Sequence, residues 1–405
     1  MKKFLSTCIL AGLFVLYTGA QSLSMPRNIK TAYLNETRSP DGKPGKRYWQ
    51  NAARYHITLQ AIPPDRKIEC TEHITYFNNS PDTLRDVFVK IIQNIHRPGA
   101  VRDGDVDPSF LNPGTQIDSF CINNKSYQWQ ERLLNQTIQR IELPAPLSPR
   151  DSIQFFFKWH FLIAPAYGRE GMTDSTTFFL AYFYPRISVY DDVYGWDWLN
   201  FSDLQEFYYD FSDYTLEVKV PANYLVWSTG TLQNLQDVLQ PMYTQRLRQS
   251  INTDSVVHIV TKEDLDKRNI TLQKSRNSWH WTATNVPDIA LAISDHFVWD
   301  ASSIIVDSNT KRRAEVHAVY NDTASDFKKA VEYGRYAVNW FSTHWPGLPY
   351  PYPCMTIMQG YADMEYPMLV NTEKMESPEM SRFLIDHEIA HTWFPFYVGI
   401  NESRY

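Results

Sequence analysis

The sequence predicts an all-β N-terminal saddle or sandwich followed by a mixed α/β unit, and three observations carry that expectation. The 405 residues exceed what one hydrophobic core usually organises, so two domains are expected. From Arg54 to Trp299, apolar and polar residues alternate in short runs punctuated by Pro, Asn and Asp. After Asp300 the apolar spacing becomes helical. The divisions read from the chain are a targeting segment at 1–20, a β-rich domain at 46–305 and the first part of an α/β domain at 306–405.

The strands follow in order. Residues 55–62 (YHITLQAI) and 68–77 (IECTEHITYF) have period two and are parted by Pro63-Pro64-Asp65. Residues 78–82 (NNSPD) read as a turn and 87–95 (VFVKIIQNI) as the next strand. Residues 153–163, 214–220 and 288–299 complete the set, and antiparallel sheets are the expected arrangement. Residues 325–345 then place Phe327, Ala330, Val331, Val338 and Phe341 at helical spacing, and Pro346-Gly347 ends the run. Residues 354–359 (CMTIMQ) read as a strand. Ser377-Pro378 supplies an N-cap and a first-turn proline for a further helix.

Lys2 and Lys3 precede an apolar run from Phe4 to Tyr17 that closes on Thr18-Gly19-Ala20, the pattern of a secretory signal peptide. The run is short for a bilayer, so export to the periplasm or exterior with no stable membrane span after cleavage is expected. Cys8 lies inside the run, which disfavours a lipoprotein. Loss of the two lysines would shift the net charge from −6 to −8. An acidic chain without a basic stripe argues against a nucleic-acid partner and for a peptide or small molecule. The three later cysteines, Cys70, Cys121 and Cys354, are odd in number and exclude a complete disulfide framework, with Cys70–Cys121 left open. Sequons occur at Asn135-Gln136-Thr137 and Asn200-Phe201-Ser202.

His387, Glu388 and His391 form H-E-x-x-H within residues 383–396 (FLIDHEIAHTWFPF). Positions i and i+4 of a helix share a face, so two imidazoles can reach one zinc ion while the glutamate between them serves as general base. The competing reading is structural: Met380, Phe383 and Leu384 continue to His387 along one face, and the histidines would pack in a core. Metzincins require Gly and His three and six residues after the second histidine. Phe394 and Tyr397 stand there, which excludes that class.

On these residues the sequence resembles the gluzincin zinc aminopeptidases of the aminopeptidase N family. Residues 387–394 (HEIAHTWF) are similar to that family's zinc helix, and 360–367 (GYADMEYP) to its G-x-M-E-N exopeptidase motif. Residues 181–198 are similar, more loosely, to the β-domain segment lining the cleft. The resemblance spans about 46–405. It implies a thermolysin-like α/β catalytic domain after the β-domain and zinc as cofactor on His387 and His391, with Glu388 as catalytic base. It also implies a peptide substrate whose free α-amino group is held by Glu365, with Ala362, Asp363 and Met364 running beside it as an added strand.

The sequence departs from the family pattern at Ala362 in place of Gly, Tyr366 in place of Asn, Pro395 in place of Gly, and Tyr182 near an expected Gln. The family's third ligand, a Glu roughly 19 positions past the second histidine, would fall beyond Tyr405. The expectation is a C-terminally truncated catalytic domain, its own activity open, in which Pro395 breaks the helix and leaves Glu402 unplaced. Two alternatives accompany the peptidase: an inactive peptide- or glycan-binding protein using its aromatic-rich β-domain, and a metal hydrolase acting on an epoxide as one branch of the family does.

Overall fold

The computed structural model describes residues 24–165, 169–206 and 208–404. The expected signal peptide lies outside the described residues. The chain divides into two compact units, one formed by Met1–Trp49 with Asp191–Gly195, the other by Gln50–Tyr190 with Trp196–Tyr405. In the first, the helix Arg27–Leu34 follows Pro26, and Arg38 grips Asp192 with Nε at 2.9 Å and Nη2 at 2.6 Å.

The second unit contains the sheets. Its largest has eight strands in the order Thr231–Leu232, Asn277–Val286, Ser212–Val220, Ala52–Gln60, Lys67–Phe77, Ser152–Leu162, Gln116–Ile122, Lys125–Tyr127. The alternation read in the sequence is the alternation of burial. In Ser152–Leu162 the residues Ile153, Phe155, Phe157, Trp159 and Phe161 face inward while Gln154 and Lys158 face water. One neighbour pair departs from the antiparallel expectation: Ala52–Gln60 and Ser212–Val220 run parallel, in register from Arg54 with Asp213 to Gln60 with Lys219. A parallel pair needs a long crossover, and residues 61–211 supply it.

Two other readings are corrected. The run 87–95 is strand only within Leu84–Lys90, and Ile92–His96 is a 3-10 turn whose five side chains are all buried. An uninterrupted apolar run cannot by itself distinguish a buried turn from a buried strand. The run 288–299 divides into Ala290–Ser294 and the start of Val298–Asp307, which belong to different sheets. The three described cysteines are free thiols, so the Cys70–Cys121 bridge is not formed.

A five-stranded sheet positions the site. Its order is Val257–Val260, Val298–Asp307, Arg312–Tyr320, Cys354–Gln359, Leu369–Thr372, the last three strands parallel. The strand Val298–Asp307 runs through residue 305, where the sequence placed its boundary. The helix Ala330–Thr343 lies close on this sheet because Gly334 has no side chain. A Cβ there would sit 2.9 Å from Val316 Cγ1 on one strand and closer still to Ile357 on the next. No helix of the described residues is long and apolar enough to cross a membrane.

Candidate metal centre

The helix Pro378–Ala390 starts where its sequence says it should: the Ser377 hydroxyl accepts from the Met380 amide at 3.4 Å, Pro378 opens the first turn and Glu379 stands near the positive end of the dipole. Its buried face is Ser381, Ile385, Glu388 and Ile389. Asp326 secures that face, accepting from the Ser381 hydroxyl at 2.8 Å and from the Met375 amide at 2.9 Å. The apolar stripe that would have made the histidines core residues does not pack: Met380 is 48% and Phe383 60% exposed. The helix turns Glu388 inward instead and leaves His387 exposed and His391 half-buried.

The rings of His387 and His391 stand 5.1 Å apart, nearly perpendicular. His391 closes the helix as its C-cap, and its Nδ1 donates to the Phe394 carbonyl at 3.2 Å. That bond orients the ring and leaves Nε2 as the free ligand nitrogen, the arrangement by which metal-binding imidazoles are held. Trp393 fixes the following turn by donating to the Leu348 carbonyl at 2.8 Å.

The segment 360–367 comes to the same place from the sheet edge. Met364 donates to and accepts from Asn371 at 2.8 and 2.9 Å, adding an outer rung to Leu369–Thr372. A Cβ on Gly360 would overlap the Asn371 amide oxygen, which explains the glycine in the motif. Because the rung occupies the backbone of Met364, the Asp363 and Glu365 backbone groups on either side turn the other way. The Asp363 carboxylate accepts from the Glu373 amide at 3.2 Å, and Ala362 is half-buried beside it.

Ligand atoms of Glu365, Glu388 and His391 all lie within 4.8 Å of one another. The electrostatics match a cation-binding pocket. Burial, then the Glu206 charge, raises the Glu365 carboxyl to about 7. Burial, then Glu365, raises Glu388 to about 8. Burial and the paired imidazole lower His387, and burial lowers His391, so both favour the neutral form a ligand requires. Two carboxyls that disfavour their own charge beside the neutral imidazole of His391 form a donor set that a divalent cation would relieve, and N/O donors of this kind suit zinc, whereas His387, on the same helix, lies outside that group.

Sequence reasoning missed Glu206 and Arg169. Arg169 holds Glu206 through Nη1 and Nη2, both at 2.6 Å, and donates from Nε to the Asp203 carbonyl at 3.1 Å. Burial works against the guanidinium charge, but this bidentate pairing keeps it firmly protonated. Neither residue sits in a motif, and nothing in the flanking sequence marks it. Glu402, left unplaced by the sequence, has a defined position. The chain after Ala390 folds back in turns, the Ser403 hydroxyl donates to the Glu206 carbonyl at 3.3 Å, and Glu402 lines one pocket with Glu206 and Glu365. Burial and those two carboxylates raise it to about 7, and it stays outside the metal-capable group.

No family model and no curated protein matches the sequence. Solved structures do. An M1 zinc metallopeptidase mutant from Deinococcus radiodurans aligns with a TM-score of 0.53 at 12% identity, over 88% of this chain and 68% of that one. The unmutated enzyme from the same organism aligns at 0.51 and 12%, over 88% and 67%. The mutant bound to a Tyr-Ser-Ala substrate aligns at 0.52 and 13%, over 88% and 68%.

The chain has the fold of the M1 zinc metallopeptidases.

Within this M1 fold, the helix carrying His387, Glu388 and His391 and the edge segment carrying Glu365 are the two elements that converge on one point. The loosely similar segment 181–198 contributes Tyr182, held at φ 56° and lining the pocket beside Tyr366. Glu365 belongs both to this pocket and to the group with Glu388 and His391, so the site can hold a cation and accept a proton at Glu388, while the pocket carboxylates of Glu206, Glu365 and Glu402 can bind an ammonium group.

Proposed function

We propose that this protein is an exported zinc metallopeptidase of the aminopeptidase type, with a β-rich domain leading into a thermolysin-like catalytic domain. The observation that carries the reading is the convergence of Glu365, Glu388 and His391 within 4.8 Å on an M1-type fold. His387 and His391 are the proposed metal ligands. Zinc, when bound, supplies a Lewis acid for the scissile carbonyl and a water of lowered pKa.

Glu388 takes the proton from the attacking water and returns it to the leaving amine. Its low-polarity setting keeps its proton affinity near the range that general acid–base work needs. Glu365 receives the α-ammonium of the peptide in a charge-assisted contact and so fixes the cut one residue from the N-terminus. The backbone of Ala362, Asp363 and Met364 would flank the bound chain. Glu206, held by Arg169, adds negative charge on the amine side of the pocket.

The test is release of the N-terminal residue from short peptides, with bound zinc measured in parallel. Glu388→Gln should keep its zinc and lose at least a hundredfold in kcat. A variant that retains both zinc and activity sinks the assignment.

A further inference from the structure

The pocket that holds Glu365 is small, and its size bears on which peptides the site takes. It encloses about 30 Å³. A cavity of about 150 Å³ takes one benzene-sized ring and about 10–15 Å³ takes one water, so there is room here for an ammonium or methyl group and none for a ring. The walls are stiff. Tyr182, Tyr366 and Phe396 contribute aromatic rings, Pro367 and Pro395 contribute pyrrolidines, and none of these is a long flexible chain that could swing aside.

Tyr182 is the wall under most constraint. It sits at φ 56°, a left-handed backbone that a bulky residue rarely adopts, and it is buried. Its ring centroid lies 5.6 Å from that of Tyr366 and 5.8 Å from that of Phe201. Backbone strain of this kind persists only where the surrounding structure holds it, and it clusters at ligand clamps. In the peptidase reading, on which this inference rests, the α-ammonium lies on Glu365 and the scissile carbonyl at the group formed by Glu365, Glu388 and His391. The Cα between them, and the first atom of its side chain, therefore fall beside Glu365, within reach of these walls.

We propose that this pocket restricts the first residue of the peptide to glycine or alanine, and that Tyr182 sets the limit. Calorimetric titration of zinc-loaded Glu388→Gln protein with Ala-Ser-Ala, Tyr-Ser-Ala and N-acetyl-Ala-Ser-Ala reads binding without turnover, and kcat/KM of the parent on the free peptides reads the reaction. Ala-Ser-Ala should bind about tenfold more tightly than Tyr-Ser-Ala and exceed it by about tenfold or more in kcat/KM. Tyr182→Gly, which suits the φ and removes the ring, should tighten Tyr-Ser-Ala binding several-fold, a gain that misfolding cannot produce. If that variant does not fold, Phe396→Ala opens another wall of the pocket, and the same gain is expected. Tyr-Ser-Ala bound as tightly as Ala-Ser-Ala, with acetylation still weakening binding, overturns the size limit and leaves the peptidase reading standing. Equal binding of the acetylated and free alanine peptides, or binding of none, overturns both. A folded Tyr182→Gly with no gain for Tyr-Ser-Ala overturns the role given to Tyr182.

Discussion

The hydroxyls of Tyr182 and Tyr366 meet at 3.0 Å, and Tyr366 also donates to the Arg169 carbonyl at 2.8 Å. These are two of the positions at which the sequence leaves the aminopeptidase N pattern. Read singly each is a lost polar residue, whereas together they form one buried contact that ties the 360–367 segment to the β-rich part of the unit. Tyr366→Phe leaves the Arg169 carbonyl without this donor and should cost about 1–3 kcal/mol of unfolding free energy. Tyr182→Phe should cost less on that background than alone, a non-additivity that urea titrations of the four proteins would measure.

That pair also marks how far the sequence could be read. The helix start at Ser377-Pro378 and the strand Cys354–Gln359 were legible because their signals are local: a cap, a proline, an apolar run between breakers. Tyr182 and Tyr366 are 184 positions apart, and no periodicity reports a partner at that distance. Arg169 and Glu206 were invisible for the same reason. Phe383 and Met380 carried only the competing reading of the motif, since an apolar stripe on a helix normally faces a core, and here these two side chains face water.

Glu365 tests the amine-anchor assignment separately from the metal. Glu365→Gln removes the charge from a charge-assisted contact worth about 1.5–3 kcal/mol. The kcat/KM for peptides with a free N-terminus should fall roughly ten- to a hundredfold, following the same energies. Cleavage of N-acetylated peptides should change little. Equal losses on both substrates would argue that Glu365 acts elsewhere in the reaction.

Glu72 offers a stability test remote from the site. It points inward from the strand Lys67–Phe77 with neither carboxyl oxygen bonded, and burial raises its pKa well above the ordinary carboxylate value. Its folded-state pKa exceeds the unfolded one, so the folded state holds the proton more tightly. Stability is therefore greatest below the unfolded pKa and declines as pH rises above it. Glu72→Leu should stabilise the protein by about 1–3 kcal/mol at neutral pH in chemical denaturation, because it removes a buried polar group without a partner.

His296 gives a pH dependence of the same sign, but from pairing rather than burial. Its Nε2 lies 3.2 Å from Asp174 and its Nδ1 3.0 Å from Asp295, and these two carboxylates raise it to about 9. The stabilisation is complete below the ordinary histidine pKa and disappears as pH rises through 9. Solvent reaches the cluster, so the contribution is about 1 kcal/mol once screening is allowed for. Melting temperature compared at pH 6 and pH 10 should fall less in His296→Gln than in the parent, and an identical fall would remove the assignment.

The central rung of the large sheet has a consequence for how the chain is made. Thr58 and Glu217, bonded across the parallel pair Ala52–Gln60 and Ser212–Val220, are 159 positions apart. During synthesis the early strand therefore emerges long before its neighbour exists, with one edge unpaired and Ile57 and Leu59 uncovered. Contacts of such high sequence separation form slowly, and a half-made chain presenting an open apolar edge is prone to associate with copies of itself. Yield from a cell should then depend less on the stability of the finished protein than on holdase chaperones shielding that edge until residue 220 has been delivered.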